Sequence, residues 1–184
     1  MQLAIDYRTG GRVAFNGTEP TNVPTNYRDL NILSGGATVT YAGLTVGGSS
    51  YYGAYNLGDG DNLQLEPDGG SNAVAWMVGA QYTMGPMVVG GSFFPTTLTG
   101  DIPGGIDAGS GATISSAGFT TGQQQNDGVA AGATYTLVPG VSLFVDYLYG
   151  FRQQGGYDFA TGNAGTANNY VQSQVFGVGT QIQW

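Results

Sequence analysis

The 184-residue chain lacks several residue types on which common protein chemistries depend. It contains no Cys, no His and no Lys, and its basic residues are Arg8, Arg12, Arg28 and Arg152. Without Cys the chain has no disulfide, no cysteine zinc site and no thiol nucleophile. Without His it lacks the usual general base and the commonest metal ligand. The sequence therefore predicts that the protein is not an enzyme and uses no cofactor.

Charge and long apolar runs are also scarce. Only 9% of the residues are charged, against about 25% in soluble globular proteins. The formal net charge of −8 argues against a nucleic-acid partner, which needs a basic surface. No apolar run reaches the roughly 18 residues of a membrane-spanning helix. If the chain crosses a membrane, it therefore crosses with strands.

Short segments of alternating apolar and polar residues fill most of the chain. Clusters of Gly, Asn, Asp and Pro separate them. Such alternation is typical of β-strands with one apolar face. Eight strands are predicted, at about 2–8, 34–41, 44–55, 72–83, 87–94, 127–137, 141–152 and 170–184.

The connectors between these strands alternate between short and long. The short ones lie at 42–43, 84–86 and 138–140, and the long ones at about 9–33, 56–71, 95–126 and 153–169. This pattern is typical of a transmembrane β-barrel, with tight periplasmic turns and long extracellular loops. A compact soluble domain seldom contains four long structureless loops. The connector 95–126 either folds into the lumen or forms a surface loop, and the sequence leaves both open.

Aromatic residues cluster near the ends of the predicted strands, on the apolar face. A membrane barrel carries an aromatic girdle at each interface. One predicted girdle, at the short-turn end, consists of Tyr41, Tyr82, Tyr135 and Trp184. The other, near the long connectors, consists of Tyr52, Trp76, Phe93, Tyr149 and Phe151, with Tyr170 beside them. The opposite face is rich in glycine and small or polar residues, as expected of an aqueous lumen.

The C-terminal part of the chain resembles outer-membrane general porins of the alphaproteobacterial type. The residues that carry this resemblance are the hairpin GATYTLVPGVSL (132–143), its continuation VDYLYG (145–150) and the terminal segment FGVGTQIQW (176–184). The stretch 37–52 fits a porin hairpin less specifically. At the level of pattern the likeness extends over most of the chain, which resembles the C-terminal half of such a porin.

The resemblance implies a sixteen-stranded barrel, commonly a homotrimer, in the bacterial outer membrane. Such a barrel admits small hydrophilic solutes and ions by passive diffusion. The resemblance also implies that the C-terminal aromatic, here Trp184, is recognised by the outer-membrane assembly machinery. This chain supplies only about eight strands, and no signal region follows Met1. We therefore expect an all-β chain, one domain over 1–184, that forms half of an antiparallel transmembrane barrel.

Four charged residues are candidates for the lining of a pore. Because successive side chains of a strand alternate between its two faces, the polar face is predicted to carry Asp6, Arg8, Asp146 and Arg152. Charges beside an aqueous lumen tune ion selectivity, and the alternative is that these four only form ion pairs with one another. Arg12 and Arg28 fall in the first long connector and are predicted to be loop residues. The acidic composition predicts a mild preference for cations over anions if the acidic loops line the mouth of the pore.

One connector carries several carboxylates and is a weak candidate for calcium. Ca²⁺ takes oxygen ligands, but the EF-hand order of acidic residues around a central Gly is absent. The preferred interpretation is an acidic, solvated loop. The residues in question are Asp59, Asp61, Glu66 and Asp68.

Two other functions stay open on the sequence alone. A small closed eight-stranded outer-membrane barrel would have a structural or adhesive role, because side chains fill the interior of such a barrel. A soluble Gly-rich β-sandwich that binds carbohydrate would fold without detergent. These alternatives differ from the porin in whether the chain conducts ions and whether it needs a membrane.

Overall fold

The computed structural model describes residues 1–10, 28–57, 63–66, 70–100 and 122–183. Throughout these residues the regular structure is β, which confirms the predicted all-β class. No helix in the described ranges is long and apolar enough to cross a membrane. The strands are β1 (Gln2–Gly10), β2 (Leu30–Tyr41), β3 (Leu44–Ala54), β4 (Asn56–Leu57), β5 (Leu63–Gln64), β6 (Ala73–Met84), β7 (Met87–Leu98), β8 (Gln124–Val138), β9 (Val141–Gln154), β10 (Tyr157–Asp158), β11 (Asn163–Ala164) and β12 (Tyr170–Ile182).

In the part of the chain that the structure describes, the eight longer strands form one antiparallel sheet. Its order is β1-β2-β3-β6-β7-β8-β9-β12, and β4–β5 and β10–β11 are separate two-stranded hairpins. Strand β1 pairs only with β2, and β12 pairs only with β9, so the sheet has two open edges and is not closed into a barrel. All eight strands nevertheless line one cavity of about 1460 Å³. The sheet is therefore curved, with a concave and a convex face.

The tight turns follow from residues that adopt positive φ. Ala42 and Gly43 have φ angles of 47° and 84°, the sign that a type I′ hairpin turn requires at both central positions. Gly140, with a φ of 87°, follows Pro139 in the Pro-then-Gly order of a type II turn. Gly85 has a φ of 56° in the turn between β6 and β7. These turns hold consecutive strands in antiparallel register.

The two faces of the sheet differ sharply in chemistry. Large apolar side chains of the alternating convex positions are exposed on every long strand, whereas the concave positions carry many Gly, Ala, Ser and Thr residues. The only buried hydrophobic cluster among the described residues lies at the long-connector end, around Ile32, Tyr55, Ala73 and Leu98. Convex residues exposed in the middle of the sheet include Ile5, Val46, Val78, Val129, Val145, Phe176 and Val178.

Several strands are longer than the alternating pattern indicates. Strand β7 continues through Pro95 to Leu98, and β8 begins at Gln124. Proline has no backbone N–H, and the pairing of β6 with β7 skips Phe94 and Pro95. On its other side β7 stays in register, with Pro95 opposite Asp127. One intact neighbour is therefore enough to carry the strand past the proline.

Replacing turn glycines should separate backbone strain from steric overlap. Ala at either Gly85 or Gly140 must adopt a positive φ, which costs about 1 kcal/mol. A Cβ at Gly140 would also lie 2.6 Å from the Gln183 carbonyl oxygen, whereas at Gly85 it meets nothing within 4 Å. We expect Gly140→Ala to lower the free energy of unfolding by about 1 kcal/mol more than Gly85→Ala in urea titrations. Equal losses would show that the Gln183 contact is not made.

Candidate functional site

The concave face forms a trough whose wall is built from small and polar side chains. One row of residues crosses the sheet in register through paired Cα positions on seven strands. Near one end of the row the Thr40 and Thr45 hydroxyls lie 2.9 Å apart and share a hydrogen bond. In order, the row is Thr40, Thr45, Gln81, Gly90, Gly132, Asp146 and Gly177.

Larger concave side chains lie over glycines of the neighbouring strand. A Cβ at Gly128 would overlap the Phe94 ring, and a Cβ at Gly179 would lie 2.6 Å from the Phe144 ring. The sequence pattern predicts that these glycines leave space in a lumen or relieve strand curvature, and it does not single out the two phenylalanines. Strand register explains this packing of rings over glycines, because Phe94 pairs with Gly128 and Phe144 pairs with Gly179. The glycines make room for specific rings as well as for solvent.

The predicted pore-lining charges divide into paired and unpaired groups. Asp6 and Asp146 both line the cavity. The Arg8 Nε donates to Asp6 Oδ2 at 2.6 Å, so the Asp6 charge is compensated on its own strand. Asp146 has no ion pair or side-chain hydrogen bond with any described residue. The structure thus forms one of the ion pairs considered and leaves the other carboxylate exposed.

Arg152 belongs to a polar network at the long-connector end of the trough. Its Nε donates to Asn126 Oδ1 at 3.1 Å, and Asn126 in turn donates to Gln124 Oε1 at 3.3 Å. Gln124 Nε2 donates to Gln154 Oε1 at 3.1 Å, and both glutamines are buried. The network ties β8 to β9 where the strands leave the trough.

The aromatic residues predicted for the short-turn end lie on the convex face. Tyr41 and Tyr82 both pair with Leu44, so the two tyrosines lie in one row across β2, β3 and β6. Tyr135 projects from the same face of β8, opposite Leu143. Tyr41 is 82% exposed. Trp184 lies outside the described residues.

The aromatic residues predicted for the other end contact one another. Trp76 and Phe93 meet edge to face, with ring centroids 5.4 Å apart. Phe151 lies 5.7 Å from Tyr170, and the Tyr170 hydroxyl shares a 3.3 Å hydrogen bond with that of Tyr149. In the same region Asn72 Nδ2 donates to the Tyr52 hydroxyl at 2.8 Å. The predicted aromatic residues at this end therefore form one pair and one group of three, and Tyr52 is held by a hydrogen bond from Asn72.

Three connectors meet around the buried Glu66 carboxyl. The Arg28 amide donates to the Glu66 carbonyl at 2.8 Å, and Arg28 Nη1 donates to the Gly70 carbonyl at 3.3 Å. Thr99 Oγ1 donates to Glu66 Oε1. Asn56 and Gly100 exchange two further hydrogen bonds, of 2.9 and 2.7 Å. Arg28 is a connector residue, as predicted, and it helps to fasten the segments together.

Glu66 differs from the solvated carboxylate that the sequence predicted. Burial raises the pKa of its carboxyl above the ordinary 4.5, although the Thr99 hydrogen bond and the Arg28 charge lower it. Its second oxygen, Oε2, has no hydrogen-bond partner in the described part of the chain. The other calcium candidates, Asp59, Asp61 and Asp68, lie outside the described residues, as does Arg12. The described ranges contain no group of three or more His, Cys, Asp or Glu side chains placed to hold a metal ion.

Comparisons with known proteins give no relative. No protein-family model, no curated protein and no solved structure matches the chain. The functional inference therefore depends on the geometry of the two faces.

Titration of Glu66 should make stability depend on pH. Because burial raises its pKa in the folded chain, the protonated carboxyl favours folding. This stability is fully present below about pH 4.5, the ordinary pKa, and is lost as the pH rises through the raised pKa. We expect Glu66→Gln to flatten the fall in unfolding free energy over that window, measured by urea titration at several pH values.

Thr99→Val provides the comparison for this titration. It keeps the carboxyl but removes the hydrogen bond that favours the ionised form. The window in which stability falls should therefore begin at the same pH and extend to higher pH. An unchanged slope in Glu66→Gln would show that another group titrates.

Proposed function

We propose that this chain forms the wall of a transmembrane β-barrel channel in a bacterial outer membrane. The channel allows passive diffusion of small hydrophilic solutes and ions. The observation that carries the proposal is the contrast between the two faces: an exposed apolar band flanked by aromatic residues on one side and an open trough lined mainly by small and polar residues on the other. In a transmembrane barrel the first face meets lipid and the second meets water.

The spacing of the aromatic residues fits a bilayer. Leu44 lies in the row of Tyr41 and Tyr82, and Tyr52 lies eight residues further along β3. At about 3.4 Å per residue this is about 27 Å along the strand. With a strand tilt of about 40°, the height is about 20 Å, close to the apolar band of about 25 Å in outer-membrane barrels. Valines such as Val46 and Val78 occupy the interval.

The trough favours a barrel wider than eight strands. A closed eight-stranded barrel has an interior that side chains fill. Here three glycines lie in the row that contains Asp146, two of them directly beside it, and the cavity measures about 1460 Å³. On this proposal further strands join the open edges of β1 and β12, as in the sixteen-stranded porins that the sequence resembles. When this chain is refolded alone, a second copy of it supplies them. A homotrimer and recognition of Trp184 by the assembly machinery belong to the same proposal.

The arrangement of the strands argues against both alternative functions. A carbohydrate-binding β-sandwich needs two sheets packed face to face, whereas the longer strands lie in a single sheet with an uncovered convex face. A small closed barrel would pair β1 with β12, and these strands are not paired. Passage of ions across a bilayer separates the channel from both alternatives.

The first experiment is to refold the chain into liposomes and planar bilayers. We expect stepwise conductance and swelling of liposomes in small sugars. Empty liposomes and heat-denatured protein are the controls. A fully folded chain in buffer without detergent, judged by far-UV circular dichroism, would contradict the proposal, as would a chain that inserts but never conducts.

Adjacent residues on the two faces allow a matched test of lipid contact. Val78 is convex and Met77 is concave, and each is 45% exposed near the middle of β6. Arg at the lipid face near the bilayer midplane costs about 2–4 kcal/mol, whereas Arg in a water-filled lumen does not meet lipid. We expect Val78→Arg to lower the free energy of unfolding in liposomes by that amount and Met77→Arg by less than about 1 kcal/mol. Similar losses for both variants would show that the convex face does not meet lipid.

A further inference from the structure

Asp146 occupies an unusual position on the trough wall. Its neighbours across the sheet are Gly132 on β8 and Gly177 on β12, and the next residue beyond Gly132 in the row is Gly90. The carboxylate lies over Gly132, where a Cβ would overlap Oδ1, and a Cβ at Gly177 would meet nothing within 4 Å. The side chain is exposed to the cavity that it lines. The residues paired with Asp146 on both adjacent strands therefore have no side chain that could cover this carboxylate.

The other charges of the trough do not compensate Asp146. Asp6 is paired with Arg8 at 2.6 Å. Arg152 is six residues from Asp146 on β9, about 20 Å along the strand at 3.4 Å per residue. This exceeds the screening length of about 8 Å at physiological ionic strength. Among the described residues, no opposing side-chain charge therefore lies nearby on the same strand, and the field of the Asp146 carboxylate acts on ions in the short-turn half of the trough.

We propose that Asp146 is the residue that gives the channel its preference for cations, by attracting hydrated monovalent cations to the short-turn half of its lumen. This inference rests on the proposed channel function and assigns the sign of its selectivity to one side chain. The four charges Asp6, Arg8, Asp146 and Arg152 sum to zero, so removal of the Asp146 charge leaves the trough positive. The selectivity should then shift toward anions.

The test is the reversal potential of channels in a neutral phosphatidylcholine bilayer under a potassium chloride gradient. The total salt concentration is kept low, so that the screening length exceeds about 10 Å. We expect Asp146→Asn to lower the potassium-to-chloride permeability ratio by about threefold with conductance retained. Asp146→Glu, which keeps the charge, should leave the ratio near that of the unmodified chain.

A second variant tests the same row without removing a native side chain. Gly177→Asp adds a carboxylate beside Asp146, where the structure has open space. This variant should raise the permeability ratio. The matched control is Asp127→Asn, which removes a carboxylate from a convex position of β8, in register with Phe151. This control should leave the ratio unchanged.

The outcomes separate this inference from the proposed function. Channels whose ratio is unchanged in both Asp146→Asn and Gly177→Asp would overturn the role of Asp146 and leave the channel function standing. An equal shift in Asp127→Asn would also overturn it, because the effect would then follow overall charge. Absence of channels from the unmodified chain overturns the proposed function and this inference together.

Discussion

Backbone pairing between antiparallel neighbours is the constraint on which the other features depend. The pairing runs from β1 through to β12. Because side chains alternate between the faces of a strand, this register decides which residues form the convex surface and which line the trough. A slip of one residue in β6 would turn Val78 into the trough and Met77 outward. The apolar band, the aromatic rows and the position of Asp146 all follow from one set of hydrogen bonds.

The fold class and the number of long strands were predictable because local sequence determines them. Alternation marks a strand with two unlike faces, and Ala42–Gly43 and Pro139–Gly140 supply the φ values of tight turns. Strand ends were less predictable, since β7 passes Pro95 with support from β8. The open edges were expected from the resemblance to half of a porin, and not from the alternation. Alternation specifies the faces of a strand and says nothing about how many strands complete the sheet.

The candidate site was predictable in part, for a similar reason. The alternation of side chains along each strand indicated which charged residues share a face, but it did not indicate which of them form ion pairs. The pairing of Arg8 with Asp6 and the isolation of Asp146 depend on side-chain geometry and on the glycines that register places opposite. Glu66 stands in an acidic stretch of sequence, yet it is buried by contacts with Thr99 and Arg28 from other connectors. Such burial arises from tertiary contacts that one connector does not encode.

The charges of the trough are segregated along its length. Asp6 and Arg152 belong to one row of paired residues toward the long connectors, with Arg8 beside them, whereas Asp146 lies alone toward the short turns. The long-connector half is therefore net positive on its wall and the short-turn half negative. Acidic connectors at a mouth act through solvent and are screened by salt within about 8 Å. A wall carboxylate acts on ions already inside the trough, so its influence should survive added salt better than that of the overall net charge.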